Sequence, residues 1–264
     1  MMTTSRARMA AVSGGRAILA VACLVAAALY ILYLTTAPMS NRAGENSSAG
    51  VLKDVRRRAL YSNDELMDLR LNWIYPPGPG YKKRVDESQH GQSKFVDDLL
   101  KQRENGFFVE CGAHSGMWLS NSIFFETQRK WTGLLVEPQR FNFEELIRLR
   151  RKAYAINACM SPTTQSGLFA WGLVDSTAAL YDSHIHKHVL RTPAGLKQCF
   201  SFGAMMAALN VTRVDYFSLD VEGSEVPLLK TIPWHDVYID VIGAEYRYVL
   251  AVFFCVSLCA RGHQ

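Results

Sequence analysis

Four acids follow apolar runs in this chain. Glu110 lies in Phe-Phe-Val-Glu-Cys-Gly-Ala-His-Ser-Gly (107–116), and Glu137 ends Trp-Thr-Gly-Leu-Leu-Val-Glu (131–137). Asp220 and Glu222 end Val-Asp-Tyr-Phe-Ser-Leu-Asp-Val-Glu-Gly (214–223). The turn after Glu110 carries Gly112, Ala113, His114 and Gly116. Glycines at a strand end let the backbone pass close to a ligand. An acid about twenty residues further on, at the end of the next strand, can accept hydrogen bonds from both hydroxyls of a ribose. The acids have little basic charge among them. That suits a nucleoside whose other end is cationic and suits a pyrophosphate poorly. Taken singly, each piece also reads as a tight turn or a solvated strand end; their order and spacing together carry the reading.

These residues need a sheet whose strands end at one edge. Residues 93–105 place Phe95, Val96, Leu99 and Leu100 on one helical face, with Ser93 as cap and Gly106 as stop. Strands are expected at 107–111, 131–138, 153–162, 214–223 and 237–246. Helices are expected at 119–128, 143–152, 201–209 and from Ser224 onward. This alternation argues for an α/β domain, a mostly parallel sheet with helices on both faces. In such sheets ligands sit beyond the carboxyl ends of the strands.

The whole chain has 264 residues, is 49% hydrophobic and carries a formal net charge of +5. Residues 1–16 are a short basic tail. Residues 17–36 open with Ala-Ile-Leu-Ala-Val-Ala-Cys-Leu-Val and run without charge, long enough to span a bilayer. The run exceeds the apolar core of a cleaved signal peptide, which favours a retained anchor. Basic residues flank both of its sides, so charge counting leaves the orientation open. Sequons at Asn46 and Asn210 favour a lumenal domain. Residues 37–90 read as a stem, polar at first and broken at 75–84 by Pro and Gly. The folded domain is expected over 91–250, followed by an apolar tail at 251–264.

The basic residues form no stripe interleaved with aromatics, so nucleic acid is not an expected partner. Of six cysteines, only Cys111, Cys159 and Cys199 fall in the domain. No paired CxxC motif points to structural zinc, and cysteine usage leaves the redox compartment open. His184, His186 and His188 share one face at strand spacing beside Asp182. They read as an exposed polar segment, and no metal is expected.

The blocks at 107–116, 131–138 and 214–225, above all Asp-Val-Glu-Gly-Ser-Glu (220–225), resemble the FkbM-type methyltransferase domain. The resemblance covers about 93–248. It implies a Rossmann-like S-adenosylmethionine methyltransferase fold and S-adenosylmethionine as cofactor. Glu110, Gly112, Ala113 and Gly116 would shape the methionine end of the pocket, and Glu137 would hold the ribose. Asp220 and Glu222 would face the transfer site. Methyl transfer to a hydroxyl needs alignment and a base, for which His114 stands close, although it also reads as a loop filler.

Within that family the anchor, the stem and the pattern through Leu-Ser-Asn-Ser (119–122) look like those of the insect Star protein and its relatives. That likeness implies a single-pass membrane protein of the secretory pathway (endoplasmic reticulum, Golgi, endosome) that moves a growth-factor-type transmembrane cargo. An active O-methyltransferase is the alternative. The tail from residue 249 departs from the family pattern. Either the closing strands are missing or the tail supplies a substitute strand.

Overall fold

The structure, a computed structural model, describes residues 60–174, 177–180, 190–244 and 254–257. The expected anchor, the first part of the stem with Asn46, and the histidine segment 184–188 lie outside the described residues. Among the described residues no helix is long and apolar enough to cross a membrane.

The main sheet has seven strands: β1 (Ile74–Tyr75), β2 (Phe107–Cys111), β3 (Thr132–Val136), β4 (Tyr154–Ile156), β9 (Arg213–Leu219), β10 (Tyr238–Ala244) and β11 (Phe254–Ser257). A second sheet holds β5 (Cys159–Met160), β6 (Gly167–Val174), β7 (Thr177–Leu180) and β8 (Leu190–Phe200). The helices are α1 (Asn63–Asp68), α2 (Gln92–Leu99), α3 (Ile123–Arg129), α4 (Arg140–Leu149), α5 (Phe202–Ala208) and α6 (Glu225–Leu229). The main sheet runs β1-β4-β3-β2-β9-β10-β11. Its five central strands are parallel, and β1 and β11 pair antiparallel at the edges. From β2 the chain builds outward through β3 and β4, then returns to place β9 on the other side of β2. The crevice between β2 and β9 is therefore the switch point of strand order.

The apolar runs of these strands follow from burial on both faces. Val109, Leu134, Val136 and Phe217 pack on one face with α5, which is buried along its whole length. Phe108, Leu135, Tyr216 and Val241 pack on the other with Phe125 and Trp131. Ser201 caps α5 by accepting from the Ala204 N–H at 3.1 Å.

Several expected elements shift. The helix expected at 93–105 is α2, shorter, with Gly91 rather than Ser93 as its cap. Val96 and Leu100 turn inward, but Phe95 stays 60% exposed. Arg129 fixes this rotation by gripping Asp97 through two bonds, Nε to Oδ1 at 2.7 Å and Nη2 to Oδ2 at 2.6 Å. Lys101 and Gln102 then take left-handed φ values and end the helix.

The third strand expected at 153–162 divides between β4 and β5, which belong to different sheets. The second sheet itself had no period-2 signature. Pro193 stands opposite Gly172 and the register between β6 and β8 shifts twice, which breaks up any alternation. Cys159 and Cys199, directly opposite in β5 and β8, form a disulfide. The tail contributes β11, the substitute-strand alternative for that segment.

Residues 60–90, read from composition as stem, pack on the domain. Leu69 is fully buried in a π-helical turn after α1. Arg70 Nε donates to the Ala208 carbonyl at 2.6 Å. The Pro-Gly segment is pinned by the Gly78 N–H donating to the Arg151 carbonyl at 2.7 Å.

Candidate functional site

The turn after β2 passes between two neighbouring strand ends. The N–H groups of Gly112 and Ala113 donate to the Val136 carbonyl at 3.0 and 3.1 Å. On the other side the Asp220 N–H donates to the Cys111 carbonyl at 3.0 Å. Gly112 has φ +87°, and a Cβ there would stand 1.9 Å from the Asp220 carbonyl oxygen. Only glycine fits this approach. Gly116, at φ +76°, closes the turn against Leu146.

A cavity of about 350 Å³ opens over this edge, within the size range of small-molecule sites. Glu110, Gly112, Ala113, His114, Glu137, Asp220 and Glu222 all line it. The structure thus brings together every sequence-derived site residue except Gly116, which lies behind the turn. Four of the described lining residues are carboxylates, and none is lysine or arginine.

Glu137 is 5% exposed. Its Oε2 accepts from the His114 N–H at 2.8 Å and its Oε1 from the Gln139 N–H at 2.7 Å. Burial pushes its carboxyl up to about 7, and the two backbone donors and Asn142 offset part of that rise. Each oxygen keeps acceptor capacity for a ligand hydroxyl. The Cys111 thiol is also pushed up, first by burial and then by the charges of Glu137, Glu225 and Asp220.

Glu110 also bonds to the loop beyond the turn. It lines the cavity, but both carboxylate oxygens face the next loop: Oε1 accepts from the Asn121 N–H at 2.7 Å, and Oε2 from Ser120 Oγ at 2.9 Å and from Ser122 Oγ. Burial raises its pKa, and the nearby Arg151 opposes the rise. Arg151 is itself buried. It pairs with Glu126 and donates to Ser122 Oγ at 3.0 Å and to the Gly116 carbonyl. Glu110, Glu126 and Arg151 form one network that shapes the loop 116–122. His114 is exposed, with left-handed φ, and its backbone rather than its ring holds Glu137. Asp220 is exposed at the rim, and Glu222 is half-buried at φ +61°.

Sequence reasoning passed over Trp118, Asn121, Asn142 and Met160, which also line the cavity. Ser-Asn-Ser ahead of an apolar helix was the available signal, since hydroxyls there can serve a carboxylate as readily as a helix end. Met160 could not be foreseen, because it arrives on the second sheet. Among the described residues no group of three or more His, Cys, Asp or Glu could hold a metal.

The chain shows similarity to the crystal structure of methyltransferase FkbM from Methylobacillus flagellatus KT, at 14% identity with a TM-score of 0.37. The likeness covers 74% of this chain and 48% of that one, so this chain matches about half of that structure's length. No curated protein matches the chain. The model of the methyltransferase FkbM domain matches residues 110–248, over half of the chain and the span that carries the glycine turn, Glu137 and the acids after β9. With that match, this chain belongs to the FkbM methyltransferase domain family.

Proposed function

We propose that the chain binds S-adenosylmethionine in the cavity over β2, β3 and β9 and transfers a methyl group to a hydroxyl acceptor. Glu137 carries the reading: a buried carboxylate held from behind by two backbone N–H groups, in a cavity lined by acids. That donor set fits a ribose diol joined to a cationic end. The close pass at Gly112 holds the turn against the Asp220 carbonyl beside that cavity. The cofactor supplies an electrophilic methyl group on a sulfonium centre. The chain's own residues hold, orient and deprotonate. Glu137 fixes the ribose, the turn at Gly112, Ala113 and Gly116 shapes the path, and Asp220, Glu222 and His114 at the rim face the acceptor, whose proton one of them takes. Titration calorimetry of S-adenosylmethionine into the full chain should give micromolar binding. No heat from a folded chain, with near-ultraviolet circular dichroism as the check on folding, overturns the reading.

A second reading is favoured by the Cys159–Cys199 disulfide, because such bonds persist in oxidising compartments. In it, residues 17–36 anchor the chain with the domain in the lumen. The domain then serves Star-like transport of a growth-factor-type transmembrane cargo from endoplasmic reticulum to Golgi. Asn210 is exposed after α5 and offers a reporter. A glycosidase-sensitive mobility shift that Asn210→Gln reduces supports the lumenal placement, and its absence from membranes of secreting cells counts against it. A glycosylated chain that binds no S-adenosylmethionine favours cargo handling over catalysis.

A further inference from the structure

Asn121 stands out in the cavity wall. It is 7% exposed, and nearly all of its polar groups are committed. Its N–H donates to Glu110, its Nδ2 donates to Ser218 Oγ at 3.1 Å, and its carbonyl accepts from Ser93 Oγ at 3.3 Å. Its Oδ1 has no hydrogen-bond partner. Buried polar groups are ordinarily paired, so an unpartnered buried acceptor on a residue that lines a ligand-sized cavity points to a donor that arrives with the ligand. Glu110 and Ser218 stand side by side in β2 and β9, which puts Asn121 at the switch point, while Glu137 follows β3. A ligand whose ribose lies on Glu137 reaches Asn121 with its far end. The donor suited to this acid-lined cavity is a cation.

We infer that Asn121 receives the α-ammonium group of a bound S-adenosyl amino acid, with Glu110 and Ser218 fixing its carboxamide from behind. This rests on the S-adenosylmethionine reading. It makes Glu110 a positioning residue and Asn121 the one that touches ligand.

The test compares two probes on the full chain by calorimetry. S-adenosylhomocysteine and 5′-methylthioadenosine share the adenosine, and only the first carries the amino-acid end. Wild type should prefer S-adenosylhomocysteine by about tenfold or more, the scale of one hydrogen bond to a charged group. Asn121→Ala should erase that preference and leave methylthioadenosine within about twofold of wild type. Asn121→Asp, whose carboxylate can accept from both Ser218 and an ammonium, should restore or strengthen the preference. Equal weakening of both probes by Asn121→Ala marks a purely structural residue and overturns the inference, as does an unchanged preference. If Asn121→Ala does not fold, Asn121→Asp decides: a selective gain for S-adenosylhomocysteine supports the inference, and equal shifts overturn it. A wild type that binds both probes equally defeats this inference alone. A folded wild type that binds neither defeats the parent reading as well.

Discussion

Glu137 should make ligand affinity depend on pH. Its carboxyl is pushed up to about 7 by burial, and a ribose diol donates best to the ionised form. If only that form binds, the apparent Kd varies inversely with the ionised fraction. A carboxyl titrating near 7 is about nine-tenths protonated at pH 6 and about nine-tenths ionised at pH 8, so Kd should tighten about tenfold over that interval. Calorimetry with S-adenosylhomocysteine at pH 6, 7 and 8 measures this directly. Glu137→Gln, a mimic of the protonated state, should bind weakly and with no slope. His114→Ala keeps the backbone N–H that holds Glu137, so the slope should persist. A wild-type Kd constant within twofold, or a slope that survives Glu137→Gln, would falsify the assignment.

The same carboxyl has the opposite effect on the ligand-free chain. Glu137 keeps its proton in the folded state after the unfolded chain has lost it, so stability is full below about pH 4.5 and falls as pH rises toward 7, by about 3 kcal/mol in all; Glu137→Gln should flatten that decline in urea titrations. Removing the Cys159–Cys199 bond, which joins residues 40 apart, should cost about 4 kcal/mol by loop entropy, read as a lower urea midpoint for Cys199→Ser or for the reduced chain. Arg151→Met leaves Glu126 buried without its cation, and a loss of about 3–5 kcal/mol in the same titration is expected. Gly112→Ala meets both a left-handed φ and the Asp220 carbonyl; it should lower stability by about 2 kcal/mol or more and abolish binding of S-adenosylhomocysteine.

The parallel sheet was legible because its strands are buried on both faces and read as unbroken apolar runs. Phe107–Cys111 and Thr132–Val136 could hardly be anything else. The four acids were legible for a related reason: each breaks an apolar run just where the strand leaves the core. The direction of a side chain was not. Glu110 and Phe108 are two residues apart on one face, so Glu110 points toward the loop before α3, and only the third dimension reveals its serine partners. Arg151 looked like one more charge on an amphipathic helix, yet it lies beyond the end of α4 and inside the protein. The second sheet escaped because Pro193, Gly195 and two register shifts erase its period. Residues 60–90 escaped because burial there rests on a few positions, chiefly Leu69, within an otherwise polar segment.

Strand β1 is two residues long, yet it covers the outer edge of β4. Shortening the chain to begin near residue 90 would remove that cover together with α1 and the buried Leu69. The uncovered edge would then offer its free backbone groups to the same edge of a neighbouring molecule. Such a fragment should come out of expression as soluble aggregate or inclusion bodies, and its failure to bind a nucleoside would say nothing about the cavity. Recombinant work on this domain should therefore keep α1, Leu69 and β1.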